Sequence, residues 1–309
     1  MPDTLLEIIK EKNKRLVSIP NKFYSSVQKT EVDIYAKLLG LLERLKTDAK
    51  GQIIRSKANL LIADEINVEL KKVLYSSDYI KAVASFAKQF DSQKVINDKY
   101  FSKAFPEFTA SEIADTLVQY SKKQAVTLLT GSSIDDKFFQ PINQAITDAV
   151  DTGASRVDLI QAIRDVAIGD PEREGKLLSY SKQIAHDAFA LADRSYTNAI
   201  ADEFQVEWFF YSGDQIPTSR DFCIARHNKY YHYKEIQAWG QGKDIGVAIN
   251  PKTGLWEGAM KGTNKATIFK TAGGYNCQHS IMPVSISVVP KSVIERNREA
   301  GYYNKKEKF

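Results

Sequence analysis

Val206-Glu-Trp-Phe-Phe-Tyr-Ser212, closed by Gly213-Asp214, is where the pattern of this 309-residue chain changes. Its aromatic and β-branched residues favour an extended strand, and the Gly-Asp pair ends it. Behind it, apolar residues recur at three- and four-residue spacing, the period of a helix. Ahead of it lie a glycine- and aromatic-rich stretch, both cysteines and three of the four histidines. The expectation is a mainly α protein: a long helical N-terminal region followed by a small α+β C-terminal module.

Working back, residues 172–204 read as one helix rich in alanine (Ala185, Ala188, Ala190, Ala192, Ala199 and Ala201), a residue that favours helix and lets neighbours approach. Ser155-Arg-Val-Asp158 opens a helix through Leu159 and Ile163 that Gly169-Asp-Pro171 breaks. Thr109-Ala-Ser-Glu112 fits a capping box, with the helix expected to stop at a left-handed Gly131. Ile34, Leu38, Leu41, Leu42 and Leu45 line one stripe, and Leu60, Leu61, Ile66, Leu70, Val73 and Leu74 a second, with a bend near Gly51. Residues 1–204 are therefore assigned to the helical region, with a sub-boundary near 105–110 or 150. Residues 205–290 form the α+β module, and 291–309 a charged tail.

Working forward, residues 240–274 are glycine-rich and read as a long loop. Ile281–Val289 alternates like a strand with one buried face, with Pro283 placing its first half at a sheet edge. The tail holds six basic and three acidic residues, a net of +3 out of the chain's +5. No dense basic cluster precedes it, which argues against a dedicated duplex-DNA binder. No apolar run approaches the roughly 18 residues that span a membrane. The first residues, MPDTLLEIIKEKNKRL, place charges among apolar positions and do not read as a signal peptide, so synthesis in a cytoplasm is expected.

Chemistry concentrates in five residues: Cys223, His227, His232, Cys277 and His279. Cys223 and His227 stand four apart, one face of a helical turn. Cys277 and His279 stand two apart, one face of extended chain. Two thiolates and two imidazoles suit a closed tetrahedral zinc site, with His232 as a substitute ligand. The same residues also read as two buried thiols beside unrelated histidines, or as a disulfide formed on oxidation. No protease or transferase motif surrounds either cysteine. Asp214 and Asp221 flank Cys223, but at positions where turns and helix starts commonly use Asp. There is no Walker A loop, and Gly240-Gln-Gly242 lacks the third glycine of a dinucleotide fingerprint. The chain is read as a non-enzyme.

Two segments carry a family resemblance. Trp208-x2-Tyr211-x-Gly213-Asp214-x3-Thr218-Ser219-Arg220-Asp221-x-Cys223 resembles the segment after the last helix in phage Mu protein F-like minor head proteins. Gly273-Gly274-Tyr275-Asn276-Cys277-Gln278-His279-x3-Pro283 is similar to the Gly-Gly-Tyr-Asn-Cys-Arg-His-x3-Pro ending of many of them. The likeness spans roughly residues 150–290. Two departures stand out: many members end in His-x-x-Cys-x-Cys where this chain has Cys277-x-His279, and Gln278 replaces a basic residue. The resemblance implies a structural head-morphogenesis protein, inside the virion head and present in few copies. Its expected partners are the portal protein and other inner-head proteins, with packaged DNA reached through the 291–309 tail. A phage-delivered metal-dependent effector or nuclease, and an internal DNA-binding head protein, are the alternatives.

Overall fold

A computed structural model describes residues 1–304. The helices are α1 (Asp3–Leu42), α2 (Lys57–Ser76), α3 (Asp78–Ala104), α4 (Glu112–Thr130), the single turn α5 (Ser132–Ile134), which runs into a π turn, α6 (Gln140–Thr152), α7 (Arg156–Ala167) and α8 (Lys176–Glu203). After them come β1 (Trp208–Ser212), α9 (Asp221–Arg226), β2 (Lys229–His232), α10 (Tyr233–Trp239), β3 (Ile249–Asn250), β4 (Leu255–Trp256), α11 (Ile268–Thr271), β5 (Ser280–Val284) and α12 (Lys291–Glu299). The expected fold class is the observed one: helices to residue 203, then a small module of short strands and helices.

The chain forms two compact units, whose boundaries fall within α1, α3, α4 and α8. One holds residues 1–18, 89–122 and 186–304; the other holds 19–88 and 123–185. The division expected after residue 204 thus falls inside the first unit.

In the second unit, Ser155 caps α7 as expected, its hydroxyl accepting from the Asp158 backbone N–H at 3.1 Å. The chain turns at Gly51, which adopts φ +78°. The buried stripe of α2 is Asn59, Ala63, Ile66, Leu70 and Leu74, and the predicted members Leu60 and Leu61 are exposed. They sit off the stripe's own three- and four-residue rhythm. The last long helix starts at Lys176 rather than 172, because the Asp170 carboxylate accepts from the backbone of Glu172 and Arg173 and holds a turn there. Gly131 has φ −93°, not the left-handed conformation expected of it.

In the first unit, α4 is capped by Ser111 and not by Thr109. The Ser111 hydroxyl accepts from Ala114 N at 3.0 Å and donates to Glu203 Oε1 at 2.6 Å. The sheet has the antiparallel order β2-β1-β5. Phe209 and Tyr211 of β1 face a cluster with Phe222, Trp239, Trp256 and Ile281. Trp208 and Phe210 occupy the other face, where Trp208 pairs in register with His232 and Val284. Beneath that face Lys12, fully buried, pairs with Asp193 at 3.1 Å.

Three further expectations change here. Strand β5 is buried on both faces and ends at Val284, where the Ser285 hydroxyl accepts from Ser287 N and starts a 3-10 turn. Pro283 does lie on an edge strand, its carbonyl accepting from Tyr100 at 2.7 Å. The 240–274 stretch is no open loop: it contains the β3–β4 hairpin and α11, and Trp256 stacks on Phe222 at 3.7 Å. The charged tail, expected as a segment apart from the module, packs on it through 304: α12 buries Ile294 and Asn297, and Tyr303 packs on Trp208 and His232. Arg296 pairs with Glu235 and Arg298 with Glu295. Residues 305–309 of the predicted tail lie outside the described residues.

Candidate metal centre

Two short elements bring the cysteines together. Cys223 stands in the first turn of α9, whose N-terminal cap is Arg220 and whose first residue is Asp221. Cys277 follows a tight Gly-Gly turn and leads into β5. Their sulfur atoms lie 3.8 Å apart, both side chains buried. His279 completes the group: its backbone N–H donates to Cys277 Sγ at 3.4 Å, and its Nδ1 lies 4.0 Å from that sulfur. The ligand atoms of Cys223, Cys277 and His279 all fall within 4.8 Å of one another.

The glycines of the motif have physical reasons. A Cβ on Gly273 would stand 2.2 Å from Cys223 Sγ and 2.8 Å from Cys277 Sγ, closer than any real contact. Gly274 has φ +108°, and a Cβ there would meet the Gly258 carbonyl oxygen at 1.9 Å. Gly213 lets His279 approach: a Cβ would lie 2.7 Å from its ring. Tyr275, by contrast, is exposed, its hydroxyl accepting from Lys261 N at 3.3 Å. Asp214 is exposed as well.

Arg194 of α8 fixes the segment from behind. Its guanidinium donates to the carbonyls of His279, at 2.9 Å and 3.1 Å, and of Cys277 and Lys270. Tyr211 donates its hydroxyl to Cys223 Sγ at 3.3 Å and stacks on the His279 ring at 5.2 Å. The hydrogen bond from Cys223 holds the Cys277 thiol well below its ordinary value, against burial and with help from His279 and Arg194. The same bond, together with burial, pushes Cys223 up.

No protein-family model, curated protein or solved structure matches the chain. Tetrahedral zinc with Zn–S bonds of about 2.3 Å separates two sulfurs by about 3.8 Å. The observed separation matches that value and equally suits a hydrogen bond between two thiols, whereas a disulfide, at about 2.05 Å, is a different arrangement. The cluster can hold a metal ion.

Of the five expected ligands, three come together. His227, at the C-terminal end of α9, stands outside the cluster, its ring 5.8 Å from that of His279. Its Nδ1 is buried without a hydrogen-bond partner, and its Nε2 lies 2.8 Å from Asn228 Nδ2. Burial, then His279, lowers its proton affinity. His232 is on the opposite face of the sheet, in contact with Trp208 and Tyr303, because β2 pairs it with Trp208 rather than with Tyr211. It is no substitute ligand in this fold.

A cleft of about 220 Å³ adjoins the group. Cys223, Cys277 and His279 line it, together with Ser219, Arg220 and Gln278. Sequence reasoning missed the supporting roles of Arg194, Tyr211 and Gly273. A signal for the first existed, since Asp193 and Arg194 are charges set among the buried positions Phe189, Ala192, Tyr196 and Ile200. Among the described residues, no helix is long and apolar enough to cross a membrane.

Proposed function

We propose that this chain is a minor head protein of a bacteriophage, inside the virion, associated with the portal and acting in head morphogenesis. One observation carries the reading. The two segments that resemble phage Mu protein F-like proteins, Trp208 to Cys223 and Gly273 to Pro283, are the two that meet at the Cys223–Cys277 contact. The motif glycines Gly213, Gly273 and Gly274 each make room at or beside that contact. A chance string of similar letters has no reason to be spatially coherent in this way.

On this reading the helical region supplies docking surface for the portal and other inner-head proteins, and the C-terminal module supplies a second, rigid contact. One structural zinc bound by Cys223, Cys277 and His279 ties α9 to the entry of β5. A small module built on short strands gains stability from such a tie, because the unfolded chain has no preformed site.

Mass spectrometry of virions carrying this gene tests the reading. The protein should be present at few copies per head and should co-purify with the portal protein after gentle disruption. Its absence from virions would overturn the assignment. Metal-dependent DNA cleavage by the purified chain, abolished by His279→Ala, would replace it with an enzymatic one.

A further inference from the structure

We infer that the cleft beside the cysteines receives a carboxylate carried by a partner protein, bound jointly by the metal and by Arg220. The inference rests on the zinc reading above and goes beyond it, because it makes the centre a contact point as well as a tie.

Three observations lead there. First, zinc favours four ligands, and the described residues bring three together, Cys223, Cys277 and His279. His227 stands outside the group and does not line the cleft. All three ligands line it, so a metal held by them would face the cleft.

Second, Arg220 is half-buried in the cleft wall, and its guanidinium has no hydrogen-bond or ion-pair partner among the described residues. It lies against Gly258, where a Cβ would come within 2.2 Å of Nε, so the backbone there is shaped to admit it. None of the described residues lining the cleft is acidic, and Thr218, Ser219, Asn276 and Gln278 add polar groups. A half-buried, unpaired guanidinium beside such groups is suited to a planar oxyanion.

Third, the charges balance. Zinc with two thiolates is neutral, a carboxylate in the fourth position makes the centre −1, and Arg220 offsets it. A DNA backbone would call for a row of cations, and the only charged side chain among the described residues of this wall that carries a positive charge is Arg220. A cleft of about 220 Å³ accommodates one acidic side chain or chain end.

Cobalt(II) in place of zinc gives a visible spectrum that reports the fourth ligand. Full-length protein is loaded with cobalt and titrated with N-acetyl-Gly-Glu-Gly-amide, with acetate, and with inorganic phosphate. The expected result is a spectral shift with the peptide at lower concentration than with acetate or phosphate. Arg220→Ala should still take up cobalt but need roughly tenfold more peptide or above, the loss of one charge-assisted hydrogen bond. Arg220→Lys should fall between. A cobalt spectrum indifferent to the peptide but altered by His227→Ala would overturn the inference, showing His227 as the fourth ligand, and would leave the metal reading standing. Acetate or phosphate binding as tightly as the peptide would overturn the partner-protein source. Failure to take up cobalt or zinc at all would overturn both readings.

Discussion

The sulfur atoms of Cys223 and Cys277, 54 positions apart in sequence, lie 3.8 Å from each other, both packed against Gly273. Gly273 is fixed as glycine by the thiols, not by its own conformation. Gly273→Ala is therefore expected to cost about 3 kcal/mol, in the range of overpacking a filled core. Chemical denaturation measures it, and both thiols should also react faster with a thiol reagent. An unchanged denaturation midpoint would refute the packing argument.

Ser111 offers a test of helix capping. Ser111→Ala removes the acceptor for Ala114 N and the donor to Glu203, and should cost about 1–2 kcal/mol. Thr109→Ala should cost a few tenths at most, because Thr109 does not cap α4. Thermal melts of the two variants side by side decide between the positions.

Lys12 and Asp193 form an ion pair with both side chains at 0% exposure. Asp193 also accepts from Gln93 and Asn97, each at 3.0 Å. Lys12→Met leaves a buried carboxylate without its cation and should cost about 3–5 kcal/mol. Adding Asp193→Asn to it removes the orphan charge and should restore most of the loss. A double variant no more stable than the single one would show that the charge pairing is not the cause.

Glu31 gives the chain a pH dependence. Burial raises its carboxyl to about 7 from an ordinary 4.5, with Glu174 adding repulsion and the Leu178 and Leu177 backbone opposing. The folded state keeps a proton that the unfolded state releases, so stability falls as pH rises from about 4.5 to about 7. The loss is at most about 3 kcal/mol. Glu31→Gln, which keeps an acceptor for Leu178 N, should flatten this slope and be more stable than the parent at pH 8. Equal slopes in denaturation midpoint between pH 5 and 8 would contradict this origin.

The helices and the first strand are legible in the sequence because their signals are local. Ser155 and Asp158 satisfy each other within one turn, and the aromatic run after Glu207 forms strand β1. What was not legible depends on partners far along the chain. Ser111 competes with Thr109 for the cap, and the choice is sealed by Glu203, 92 positions away. His232 and His279 look alike as ligands, but only the register of β1 against β2 and β5 puts one on the thiol face and the other opposite. The tail carries a high density of charge, yet Ile294, Asn297 and Tyr303 anchor its residues 291–304 against the module. Lys12 did leave a trace, since it interrupts the apolar run Leu5, Ile8, Ile9 and Leu16 where a charge needs a buried partner.

Elemental analysis of the full-length chain, purified under reducing conditions without chelator, weighs most directly on the metal-tied module. About one zinc per chain is expected, with a lower melting temperature after chelation and with the metal lost in Cys223→Ser and Cys277→Ser. Reduced protein that carries no metal and melts at the same temperature with and without chelator would contradict it.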